Sequence, residues 1–398
     1  YQVSSENPLL LLVGLCVQQA VITLEVNPDC ENLSGNANLV HLRAAGPHDT
    51  LHYVWSTYGV PTLLIIHSLS NESKLVVNWT SGCKFPSNQT SEAIKVHPQK
   101  DVDISMAFVL TKARNILLFE FDDAKTTGNL NNATTVFPPY LLEDFVWDDV
   151  SHTVNRSTHT ATFHGHNKTD PGHLLQNASV TITVSLPYGR DPSLPHLLHN
   201  GNCSQFEVRI SGFIPRGNYT RFALEFMLFS QGSNYSFEVK KSIDDEYTPT
   251  IFEVLSAILR NEDSQTYLQW KPVSYNKLSK NREASMPCKY YGGSSPGPKQ
   301  EPNRTIAHFF YQGVPNGVQA FNISFGTGKE DFYNVTRFIS WTALVGLGDP
   351  PLESISKLMF VLIFLCLGLP FLLVLLSIVL ALKHRQQRHG YIPIGETH

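Results

Sequence analysis

Ser179-Val-Thr-Ile-Thr-Val-Ser-Leu186 sets Val180, Ile182, Val184 and Leu186 on one side and Ser and Thr on the other. Successive strand residues point to opposite faces, so this alternation belongs to a strand with one face in a core and the other in solvent. Working outward, comparable segments occur at 21–26, 51–55, 62–67, 74–79, 104–110, 116–121, 158–164, 205–211, 221–230, 305–312, 319–325 and 337–344. Clusters of Asn, Gly, Pro and Ser separate them. Many short strands broken in this way predict a mainly β domain with few helices, built as one β-sandwich or two packed ones. A pause in the apolar pattern at 188–202, rich in Pro and Gly, divides it into a first half (21–195) and a second half (196–350). One helix is predicted at 251–259, where Ile251, Val254, Leu255, Ile258 and Leu259 recur at helical spacing behind Thr248 and Pro249. The segment 292–303, GGSSPGPKQEPN, reads as an exposed loop.

The end of the chain follows a different rule. Residues 358–382 contain no charge, and roughly 20 apolar residues cross a bilayer core, so this run predicts a transmembrane helix within 356–382. Gly368 and Pro370 should distort it locally. Lys383, Arg385 and Arg388 follow at once, which by the positive-inside rule places the tail 383–398 in the cytosol and everything before the helix in a lumen or outside the cell. The run 8–17 is too short to span and reads as the core of a secretory signal peptide within 1–20, incomplete at its front and cleaved near 19–21.

Asn-x-Ser/Thr sequons agree with that topology. They occur at Asn32, Asn71, Asn78, Asn88, Asn132, Asn155, Asn167, Asn177, Asn202, Asn218, Asn234, Asn303, Asn322 and Asn334, and none lies beyond the apolar run. In the tail, Tyr391 and Ile394 form a tyrosine-x-x-bulky signal preceded by Gly390, of the kind that clathrin adaptors bind as an extended strand. A single-pass type I protein of the lysosomal membrane is the reading these signals share.

Of the six cysteines, Cys16 and Cys366 fall in the two apolar runs, leaving Cys30, Cys83, Cys203 and Cys288 for an oxidising compartment. Four cysteines allow three pairings, which spacing does not decide; pairing of chain neighbours, Cys30 with Cys83 and Cys203 with Cys288, is the expectation.

Composition removes several functions. A net charge of −4 with no basic block before residue 383 gives no footprint for nucleic acid. The 16 histidines would turn the protein cationic in a sufficiently acidic lumen. His164 and His166 share a strand face and are of metal-ligand type, but no Cys or carboxylate spacing completes a site, so no metal and no cofactor are expected. Asp148-Asp149 and Asp244-Asp245-Glu246 offer paired carboxylates, although adjacent carboxylates ordinarily mark solvated turns. Gly293-Ser-Ser-Pro-Gly297 matches the nucleophile-elbow string around Ser295, yet no strand enters it and no helix leaves it. No catalytic residue is assigned, and the chain is read as a non-enzyme.

Six stretches, His52-Tyr-Val-Trp-Ser56, Pro138-Pro-Tyr140, Phe163-His-Gly-His166, Ser242-Ile-Asp-Asp-Glu-Tyr247, Gln269-Trp-Lys-Pro-Val273 and Ala320-Phe-Asn-Ile-Ser-Phe-Gly326, together resemble the glycosylated lysosomal membrane protein family, over a span from about residue 22 to the tail. The resemblance implies a non-enzymatic accessory subunit that stabilises a lysosomal dipeptide transporter of the major facilitator superfamily and protects it from proteolysis. It implies no catalytic residues and assigns no contact residues. A membrane-anchored lysosomal hydrolase and a surface receptor or adhesion protein are the competing classes.

Overall fold

Strands with one apolar face must find a second sheet to cover it. In the computed structural model, which describes residues 20–30, 38–81, 83–86, 92–110, 117–141, 145–167, 177–187, 189–230, 234–241, 253–261, 264–294, 305–312, 317–327, 332–352 and 361–388, they do so as two antiparallel layers. The first layer begins with β1 (Val21–Val26), β2 (Leu39–Ala45), β3 (Thr50–Ser56) and β4 (Thr62–Ser68), each paired with the next. It continues through Val102–Leu110, Thr220–Ser230, Gly317–Phe325 and Ser285–Ser294, with Leu117–Asp122 also pairing against Thr220–Ser230.

The second layer runs Phe145–Trp147, Thr160–Asn167, Ser179–Ser185, Cys203–Ser211, Phe338–Leu347, Gln265–Trp270, Glu253–Arg260 and Asn234–Lys241. Val273–Tyr275 pairs with a strand of each layer and joins them. Large rings fill the space between: Trp55 meets Phe206 at 5.3 Å, Phe226 meets Trp341 at 5.4 Å, and Trp270 stacks on Phe321 at 5.8 Å. Each ring buries on the order of 150–250 Å², which makes these pairs a large part of the hydrophobic contribution alongside the aliphatic side chains around them. Strands from before and after residue 195 are neighbours in both layers, and the described residues from 20 to 351 form one compact unit.

Two local expectations are corrected. The predicted helix at 251–259 is the strand Glu253–Arg260 over its described part. It is hydrogen-bonded on both sides and buries Val254, Ser256, Ala257, Ile258 and Leu259, so apolar side chains on both faces produced a helix-like spacing. Conversely, the strand expected at 305–312 is a short helix, Ile306–Tyr311, closed by Gln312 in the left-handed conformation.

The C-terminal unit contains a helix over Val361–Gln386, long and apolar enough to cross a membrane. Phe364–Gly368 forms a wider π-type turn immediately before Pro370, a local adjustment of the kind a proline requires when it removes a backbone donor.

Candidate functional site

A cleft of about 1280 Å³ lies over β1 and β2, with Glu25, Asp29, His41, Arg43, Lys74 and Arg156 among its walls. Strand register explains the side chains that meet there. Glu25 lies opposite His41, and Arg43 opposite His52, so His41 and His52 are diagonal neighbours on one face of adjacent strands. His41 Nδ1 is 3.2 Å from Glu25 Oε2, His41 Nε2 is 2.9 Å from His52 Nδ1, and His52 Nε2 is 2.8 Å from Ser73 Oγ. The two imidazoles stack with centroids 5.2 Å apart. Arg43 fixes the Ser73 loop by donating to the carbonyls of Ser73 and Asn71, at 3.0 and 2.6 Å.

This chain of polar groups runs from solvent into the core. Glu25 keeps 57% of its side-chain surface, His41 has 2%, and His52 and Ser73 have none. Burial, reinforced by the neighbouring charges of His41 and Arg43, holds His52 well below the usual imidazole range. The hydrogen bond with His41 draws the Glu25 carboxyl below its usual range.

A serine hydrogen-bonded to a histidine with a carboxylate behind it invites comparison with a hydrolase triad. One feature opposes that chemistry. Ser73 has no exposed surface and does not line the cleft, so substrate has no path to its oxygen in this conformation. The arrangement is suited to holding β1, β2 and β3 together.

The residues singled out in the sequence are dispersed. Asn71, Asn78, Asn132, Asn155, Asn177, Asn202 and Asn218 are exposed, whereas Asn167, Asn322 and Asn334 are partly buried and Asn234 opens a strand. Asn32, Asn88, Asn303, Asp244, Asp245, Glu246, Ser295, Tyr391 and Ile394 lie outside the described residues. Cys30 and Cys83 form a disulfide. The expected second bridge is corrected: Cys203 and Cys288 are buried thiols. Cys203 opens a second-layer strand opposite Gly346 and packs with Leu197, Tyr267 and Leu344, while Cys288 lies opposite Phe325 in the first layer, within the main core. Burial raises the Cys203 thiol to about 11 and Cys288 higher still. Asp149 caps the short turn Val150–Thr153 through Ser151 N–H. Sequence reading places His52 on a strand at 51–55 but misses its contact with His41 because it misses β2; two histidines embedded in apolar runs were the available signal.

The family model described as "Glycosylated lysosomal membrane protein" matches residues 38–388. The chain belongs to that family. Glycosylated lysosomal membrane protein B of Xenopus laevis is 37% identical over 97% of this chain and 98% of its own length. The proteins of the same name from Danio rerio and Homo sapiens are 36% and 32% identical, covering 94% of this chain and 92% and 90% of theirs. A mainly β unit followed by one apolar helix is therefore the architecture of a lysosomal membrane glycoprotein.

Proposed function

We propose that this protein is a type I accessory subunit that stabilises a lysosomal dipeptide transporter of the major facilitator superfamily and shields it from lumenal proteases. The observation that carries the reading is a sandwich with many exposed sequon asparagines, followed by a single apolar helix, in a member of this family. In this reading the sandwich is lumenal, and the tail carries Tyr391 and Ile394 to clathrin adaptors. Glycans on asparagines such as Asn71, Asn132 and Asn218 cover surface that proteases would otherwise reach. A partner that binds only the folded transporter lowers the population of locally opened, cleavable states. The enclosed Ser73 favours this role over a hydrolase built on the Glu25–His41–His52–Ser73 chain.

Affinity purification in mild detergent from lysosomes tests it, with co-purifying membrane proteins identified and their half-lives measured with and without this protein. Near-equal recovery of one such transporter, degraded faster in the protein's absence, supports the reading. Recovery of the protein alone, with no transporter half-life changed, overturns it.

A further inference from the structure

The carboxylate that sequence spacing did not supply to His164 and His166 comes from Asp148, on the neighbouring strand. Phe145–Trp147 pairs antiparallel with Thr160–Asn167, Val146 opposite His166 and Trp147 opposite Gly165. Asp148 N–H donates to the His164 carbonyl at 2.9 Å, extending the pairing by one residue and setting Asp148 opposite His164. Residues directly opposite share a face, and so do alternate residues of one strand, so Asp148, His164 and His166 project together. Gly165 between the histidines contributes to this register, because a Cβ there would lie 3.0 Å from the Trp147 ring beneath.

We propose that Asp148, His164 and His166 form a binding site for a divalent transition ion, with zinc as its simplest occupant. One ligand atom from each residue lies within 4.8 Å of the others. His164 Nδ1 is 2.9 Å from Asp148 Oδ2, and His166 Nδ1 is 3.5 Å from Asp148 Oδ1. Ligands held tetrahedrally at about 2.0–2.2 Å from zinc stand roughly 3.3–3.6 Å apart, so small side-chain rotations bring the set to bonding geometry. Two imidazoles and one carboxylate are a borderline donor set that suits zinc, copper or iron over calcium or magnesium. The three side chains retain 43–52% of their surface, so an ion has an open path in, and a fourth position is left for water or an incoming ligand. Thr181 and Ser179, opposite His164 and His166 on the next strand, place hydroxyls beside the same face.

Equilibrium dialysis of the full-length glycoprotein in detergent against zinc at neutral pH, with bound metal counted by mass spectrometry, is the test. One equivalent per chain is expected, with affinity lowered at least tenfold in His164→Ala, His166→Ala and Asp148→Asn and unchanged in His152→Ala. All three altered positions are about half exposed, and an unaltered unfolding midpoint without metal shows that each variant is folded. X-ray absorption of the loaded protein should show two imidazoles on the ion. No bound equivalent, or binding that survives all three substitutions, overturns the proposal and leaves the cluster as a carboxylate hydrogen-bonded by two histidines.

Discussion

The guanidinium of Arg221 donates from Nη1 to the carboxylate of Asp123 at 2.7 Å, and neither side chain has more than 1% of its surface exposed. Asp123 also accepts from the N–H groups of Thr127 and Gly128, at 2.9 and 2.8 Å. Burial alone would raise the Asp123 carboxyl, but these donors and Arg221 bring it below its usual range. Gly128, with φ of +71°, leaves space that a Cβ would take from Arg221 and Lys289.

Removing one partner of such a pair strands the other charge in the core. Asp123→Ala should therefore cost about 3–5 kcal/mol, seen as a large fall in the denaturation midpoint of the purified glycoprotein. A double replacement of both residues by apolar side chains should recover most of that loss; if it does not, the cost lies in the 123–128 turn and not in the charge.

Acid should destabilise the sandwich through its buried histidines. His52 and His308 have imidazoles lowered by burial, so the unfolded chain binds protons that the folded one refuses. Their contribution is intact above the unfolded imidazole value, roughly 6.5, and is lost as pH falls from there toward the folded value. At pH 5 this amounts to up to about 2 kcal/mol for a fully buried imidazole that stays neutral. His308→Gln, a neutral replacement near Thr305, should narrow the difference in unfolding midpoint between pH 7 and pH 5. An unchanged difference would show that other groups carry the acid response.

The Cys30–Cys83 bridge closes a loop of sequence separation 53. By loop entropy it contributes up to about 4 kcal/mol, so Cys30→Ser with Cys83→Ser should lower stability by an amount of that order. Cys203 and Cys288 should resist alkylation in the native protein and react fully after denaturation without reductant. Recovery of either residue in a disulfide-linked peptide would contradict the structure.

Sequon occupancy should follow exposure. Asn322 lies mid-strand between Glu225 and Tyr291, and its side-chain oxygen is buried. Glycopeptide mass spectrometry should find Asn322 bare and Asn71, Asn132, Asn155 and Asn218 carrying glycan. A fully occupied Asn322 would require that strand to sit differently.

What the sequence disclosed depended on how local the cause was. Ser179–Ser185 is half-buried and reads directly from its alternation, and sequons and the apolar helix are properties of a few consecutive residues. Glu253–Arg260 is buried on both faces, so its pattern carried no period of two. β2 was passed over because His41 and Arg43 interrupt its apolar residues, although both become partners only when β1, β3 and the Ser73 loop assemble around them. Asp148 joins His164 from 16 positions away, through a strand pairing that no spacing rule anticipates. The cysteines show the same limit, since Cys203 and Cys288 are separated by the layer each belongs to.

Phe338–Leu347 is the last strand of the sandwich among the described residues, yet it is flanked in the second layer by Cys203–Ser211 on one side and by Gln265–Trp270 and Val273–Tyr275 on the other. During synthesis the layer thus lacks its middle until the ribosome is about to make the membrane segment. Pairings this distant in sequence form slowly. The second layer therefore cannot close until translation of the sandwich is almost complete, and its early strands keep unpaired edges until the final one arrives.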